Sequence, residues 1–249
     1  MGSIIEISEF PAMAFDSRSH PRKGRPSGRS AGARRRADAG RDQADCPFRL
    51  YVEGPRDGEL LRVWARRSFP EIVRPMERCT TILGGRQPAR AVHHFRDRGS
   101  SKKGHQGLVV LDRDHHAEAG SLLAEEPGLE VFTWSRRHIE SYLLVRPAIY
   151  RLLEREGHPG NWTEIVKAHV PPLDEEDACR DLDAKRLLGI RGPLAHDLGR
   201  ALPAAEIARS MRPDEFHEDV RNLLSRIRAG LGSAPDELKV VRRPKKAMR

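Results

Sequence analysis

Two stretches far apart in the chain each end an apolar run abruptly in acid: Leu50-Tyr51-Val52-Glu53-Gly54-Pro55-Arg56-Asp57 and Leu108-Val109-Val110-Leu111-Asp112-Arg113-Asp114. Phe48, Leu50 and Val52 alternate with Arg49 and Tyr51, and Leu108 to Leu111 is unbroken, the pattern of short strands, the second buried on both faces. Open α/β sheets bind ligands beyond the carboxyl ends of their parallel strands. As parallel neighbours, these two strands would deliver Glu53, Asp112 and Asp114 to that edge. Three carboxylates in one place repel one another unless a cation lies between them, and hard divalent ions take oxygen ligands of this kind. Alternation points Asp112 and Asp114 to the same side and Arg113 elsewhere. Asp57 stands four residues after Glu53, one turn into a helical pattern. It reads either as a further metal-facing acid or as a helix-start acid favoured by the dipole.

These motifs resemble the Toprim domain, the metal-binding fold of bacterial primases, type IA and II topoisomerases and OLD-family nucleases. Its marks are a Glu-Gly after the first strand, here Glu53-Gly54, and an Asp-x-Asp after the third, here Asp112-Arg113-Asp114. The segment Arg136-Arg137-His138-Ile139-Glu140-Ser141-Tyr142-Leu143-Leu144 is similar to the string that follows in OLD-like members. The motifs span roughly residues 47–155, with a looser likeness to about residue 230. The resemblance implies a magnesium or manganese site held by Glu53, Asp57, Asp112, Asp114 and Glu140, and cleavage of phosphodiesters. It also points to Lys185 as the group stabilising charge on a phosphate, although Ala184 stands where the family often has Gly. By structure alone, Glu140 reads as a capping or surface acid and Lys185 as a solvated lysine. OLD proteins proper carry an ATPase ahead of this domain, and no Gly-x-x-x-x-Gly-Lys-Ser/Thr loop occurs here. The likeness is therefore to the stand-alone branch, with an ATPase partner acting in trans as one option.

The elements around the acids are legible from periodicity. Leu60, Leu61 and Trp64 form an apolar helical stripe after the first strand. A second strand is expected over 79–83, a helix over 87–98, an exposed loop over 99–104, a fourth strand over 129–133 and a helix over 137–154. Trp134 reads as core. Residues 160–230 read as helical, broken at Pro171-Pro172, Gly192-Pro193, Pro203 and Pro213. The expected fold is α/β, a Toprim (Rossmann-like) parallel sheet of about four strands flanked by helices over 47–155. A helical C-terminal region over 156–230 follows. Residues 1–46 read as a disordered basic extension and 231–249 as a basic tail.

The formal net charge of +9 lies in those tails. Residues 17–41 hold nine Lys/Arg against one Asp, and residues 239–249 add six more basic groups, so the part between is near neutral. Basic tails hold anionic polymers in a salt-dependent way, or serve as solvated solubility segments. Arg113, Arg136 and Arg137 are the candidate nucleic-acid contacts near the acids, with DNA favoured over RNA. His115-His116 reads as a loop or helix start, with imidazole in a carboxylate site favouring manganese or zinc. Three widely spaced cysteines, Cys46, Cys79 and Cys179, have no metal-ligand spacing and suit a reducing cytoplasm. No apolar run long enough for a membrane span and no secretory signal is present. A homodimer is compatible with the sequence. The functions in view are a metal-dependent nuclease, a non-catalytic nucleic-acid or partner-binding module on the same fold, and a small-molecule phosphohydrolase.

Overall fold

A computed structural model gives the fold and describes residues 46–85, 87–113 and 126–232. Most of the basic extension, Asp114, His115, His116 and nearly all of the basic tail lie outside the described residues.

Chain order begins with β1 (Phe48–Val52), α1 (Pro55–Ser68), a 3-10 turn (Pro70–Ile72), α2 (Val73–Cys79) and β2 (Thr80–Ile82). Next come α3 (Pro88–Asp97), β3 (Gln106–Leu111), β4 (Leu129–Thr133) and a 3-10 segment (Ile139–Leu143). The helices α4 (Arg146–Arg155), α5 (Trp162–His169), α6 (Glu176–Asp181), α7 (Ala184–Leu187), α8 (Pro193–Asp197), α9 (Ala204–Ser210) and α10 (Glu218–Gly230) complete the described chain. The four strands form one parallel sheet in the order β2-β1-β3-β4. The α/β parallel sheet followed by helices is as the sequence predicts.

Alternation sorts the strand side chains onto two faces. Phe48, Leu50, Val52, Leu108 and Val110 join α1 and the C-terminal helices in one large core, while Tyr51, Val109 and Leu111 pack with Ala91, Val92 and Phe95 of α3. Both faces are covered, which is why all of β1 and residues 107–111 of β3 are buried, Leu108 to Leu111 as an unbroken apolar run. The helix after β1 lies on one face and the helix after β2 on the other. The strand order reverses between β1 and β3, where Val52 pairs with Val110. A crevice beyond the carboxyl ends of those two strands is the ligand position for such a topology.

Three local expectations need correction. Cys79 ends α2, so the second strand starts at Thr80. The helix expected over 137–154 is two pieces, Ile139–Leu143 and Arg146–Arg155, joined through Leu144 and Val145. Pro147 explains the break, because it has no N–H to donate and its ring would clash with the preceding turn of a continuous helix. Glu140 thus sits on a short turn at the sheet edge. The cysteines also depart from the reduced state expected of them. Cys46 and Cys79 are disulfide-bonded, with Cα atoms 6.1 Å apart across a separation of 33 residues, and Cys179 is free and buried.

Closing a loop of that length removes denatured-state entropy worth about 3–4 kcal/mol. Reduction of the bond, or Cys79→Ser, is expected to lower Tm by on the order of 10 °C for a domain of this size. An unchanged melting curve with and without dithiothreitol would show that the bond does not form in solution.

Candidate metal centre

The crevice is built from the ends of the two central strands outward. Leu83 N–H donates to the Val52 carbonyl, and Gly84 and Gly85 N–H both donate to the Glu53 carbonyl at 3.1 and 2.9 Å. That double contact needs positive φ at Gly84 and Gly85 (79° and 111°), which their lack of Cβ allows. The backbone of Glu53 is thereby fixed. Its Oε1 accepts the Asp112 N–H at 2.9 Å, so the end of β1 clasps the end of β3. Asp112 is buried; its Oδ1 accepts the Ile139 N–H at 3.3 Å and its Oδ2 accepts Lys185 Nζ at 2.6 Å.

Asp57 takes up the helix-start role that was one of its two readings. Its Oδ2 accepts the Gly54 N–H at 2.8 Å, closing the first turn of α1. Burial pushes its pKa up to about 6 against that hydrogen bond, and the nearby charges of Asp112 and Glu140 push in the same direction, partly offset by Lys185. Glu140 is only 2% exposed. Its Oε1 takes one N–H from Arg56 at 3.3 Å, and its Oε2 is buried with no hydrogen-bond partner among the described residues. For Lys185, burial disfavours the charged form. Its hydrogen bond to Asp112 and the charges of Asp112, Glu140 and Asp57 outweigh this and raise its pKa.

Glu53, Asp57, Asp112, Glu140 and Lys185 are therefore brought together. Asp114 lies outside the described residues. No three His, Cys, Asp or Glu groups among the described residues stand ready around one ion, and Lys185, Arg56 and backbone N–H groups occupy several of the carboxylate oxygens. The donor set nonetheless fits a hard divalent cation. It is all oxygen, and the orphaned Glu140 Oε2 is a buried acceptor of the kind that an ion satisfies.

The three arginines fare differently. Arg136 is buried, and its guanidinium fork closes on both oxygens of Glu176 at 3.0 and 2.6 Å and on the Ser141 carbonyl at 2.9 Å. It builds the fold, and the phosphate contact expected of it is corrected accordingly. Arg113 pairs with Asp181 and reaches the Ser135 carbonyl. Arg137 is half-exposed, with Asp183 at 3.8 Å. Arg113 N–H donates to the Arg137 carbonyl at 3.3 Å, so these two stand side by side, each paired with an acid of the helical region.

The segment carrying Glu140 is fixed from the helical region. Asp219 Oδ2 accepts the Ser135 N–H at 3.1 Å and the Ser135 and Tyr142 hydroxyls at 2.5 Å each. Trp134 is core, 5.1 Å from Phe132 and 4.7 Å from Tyr142 between ring centres. Lys185 rides on the single turn of α7, started by Asp183, whose carboxylate accepts the Arg186 N–H at 3.0 Å. The chain after α7 folds back tightly, and a Cβ on Gly192 would lie 2.2 Å from the Arg186 carbonyl oxygen.

Two residues near the acids went unassigned in the sequence. Arg56 bonds Glu140 across 84 residues; its place between Glu53 and Asp57 was the available signal. His138 has its pKa lowered first by burial and then by Lys185, against the charges of Asp112, Glu140 and Asp183. Its spacing of two from Glu140 was the clue there.

Solved structures of the C-terminal region of OLD proteins are similar to this chain. That from Burkholderia pseudomallei has 17% identity and a TM-score of 0.46, covering 75% of this chain and 98% of its own. One from Xanthomonas campestris pv. campestris has 16% identity and a TM-score of 0.45, covering 76% and 97%. No family model and no curated protein matches the sequence. Similarity of this degree decides nothing about the site, whose reading rests on the contacts above.

Asp57 gives a pH test. Its folded pKa lies above the unfolded value, so the proton it binds favours the folded state fully below about pH 4, and that contribution is lost as pH rises through about 6. Asp57→Asn keeps the acceptor for Gly54 N–H and removes the charge. In chelator it should stabilise the protein at pH 7.5 by on the order of 1–2 kcal/mol, allowing for screening of a partly exposed group. The difference should vanish by pH 4 in thermal melts. A destabilised Asp57→Asn at pH 7.5 would contradict this.

Proposed function

We propose that the chain is a divalent-metal-dependent phosphodiester hydrolase acting on nucleic acid, DNA before RNA, with magnesium or manganese as its ion. The observation that carries this reading is the buried Glu140 Oε2, without a hydrogen-bond partner among the described residues, beside Asp57 and Asp112 at the switch point of a parallel sheet.

Glu53, Asp57, Asp112 and Glu140 would hold the metal, with Asp114 as the further expected ligand. Bound there, a divalent ion lowers the pKa of a water and offsets charge on a leaving oxygen. The chain's own residues do the positioning. Glu53 is locked by Gly84 and Gly85 and in turn fixes the Asp112 backbone. Lys185 Nζ, held charged beside Asp112 and with 43% of its side chain exposed, is placed to neutralise the extra negative charge of a phosphate in the transition state. The closed fork of Arg136 holds the segment after β4, and with it Glu140, against the helical region.

A non-catalytic nucleic-acid-binding module is the second reading, favoured by the Lys185–Asp112 ion pair, which satisfies the acid without a metal. An ATPase partner in trans and a homodimer belong to the proposal; the cytoplasmic setting expected from the sequence does not. The Cys46–Cys79 bond argues against that setting, since cytosolic disulfides are rare. Among the described residues, no helix is long and apolar enough to cross a membrane.

Supercoiled plasmid and single-stranded RNA, incubated with magnesium or manganese, provide the test. Cleavage by the wild type is expected to fall by on the order of 100-fold or more in Asp112→Asn, since losing a ligand costs at least as much as losing an outer-shell partner. Metal-dependent binding of plasmid without cleavage would favour the binding module instead. Equal cleavage by the two proteins would dismiss this site as its source.

A further inference from the structure

We infer that Arg56 is a displaceable counter-ion, holding Glu140 while the carboxylates lack a cation and turning to a nucleic-acid phosphate once one binds. The inference rests on the metal-dependent reading above and assigns a residue that reading leaves idle.

Several features of Arg56 point the same way. It stands in the first turn of α1, where the helix dipole disfavours a cation, so the helix itself gives no reason for an arginine there. Its one bond to Glu140 is a single N–H at 3.3 Å, not the parallel two-point contact that makes arginine–carboxylate pairs strong. The two partners are unlike in exposure: 60% of the Arg56 side chain is open to solvent against 3% for Glu140. A buried carboxylate is thus held at one oxygen by a rim group while its other oxygen has no hydrogen-bond partner among the described residues.

Buried charge that is only partly paired is unfavourable, so an entering cation gains by taking Glu140 over. Arg56 then loses its partner without moving its backbone. Its planar fork of donors lies at the mouth of the crevice, one residue from Asp57 and three from Glu53. That fork matches a phosphate's oxygens in a way an ammonium does not. Contrast Arg136, whose fork is closed on Glu176 and the Ser141 carbonyl and has no such freedom.

Arg56→Gln, with Arg56→Lys as the conservative control, separates this from a structural role. Mn2+ alone is titrated by calorimetry, and binding of a labelled duplex oligonucleotide is measured with Ca2+ in place of a turnover-supporting ion. Removing the competing guanidinium should tighten Mn2+ binding several-fold and enlarge the Tm rise on Mn2+ saturation. Duplex affinity should fall about tenfold, and the slope of log affinity against log salt should drop by about one phosphate. Arg56→Lys should stay near wild type in metal affinity and regain part of the duplex affinity. Unchanged or weaker Mn2+ binding by Arg56→Gln overturns the counter-ion role. Tighter metal with unchanged duplex affinity and slope overturns the transfer to phosphate. Absence of Mn2+ binding in the wild type instead defeats the metal-dependent reading, and this inference with it.

Discussion

Acids gathered at one sheet edge must be neutralised, and the group that does this for Asp112 comes from 73 residues further along the chain. Lys185 is one of several such links. Asp181 holds Arg113, Glu176 holds Arg136, and Asp219 holds Ser135 and Tyr142. In each case the sheet side supplies one polarity and the helical region the complement. Because these contacts sit above a continuous apolar core shared by both regions, the helices after β4 form a wall of the crevice. The site is incomplete without them.

Electrostatics inside the crevice are uneven, and the unevenness is informative. Asp112 has partners on both oxygens, from Ile139 and Lys185. Asp57 is capped but pushed toward its neutral form. Glu140 is the most enclosed of the acids with a weak single contact. A set of acids selected only for folding would have no reason to bury that last group with one oxygen unsatisfied among the described residues.

Much of this was readable in the sequence where the signal was local. Short apolar-rich runs, alternating in β1 and unbroken in β3, marked the strands, and the abrupt change to acid after β1 and β3 marked their carboxyl ends. Pairing of the two ends was a topological guess that the parallel register of Val52 with Val110 supports. Reading failed where identity says nothing about distance. Arg136 and Arg137 are neighbours of the same type, yet one is buried on Glu176 and the other half-exposed. The partner that decides the difference lies 40 residues away. Cys46 and Cys79 looked unrelated because only the β1–β2 crossover brings them together. The break before Pro147 was a local signal overlooked, and it matters because it places Glu140 on a turn.

The covalent link between Cys46 and Cys79 also defines a mechanical load path. Cys46 lies two positions ahead of β1, the inner strand that Glu53 follows. Tension on the chain preceding it, whether from a bound polymer or a moving partner, passes through the sulfur atoms into the end of α2. It does not unzip the β1 backbone ladder from its free end. Under pulling, the strand that presents Glu53 is sheltered, and the position of that carboxylate is insulated from whatever the preceding residues are attached to.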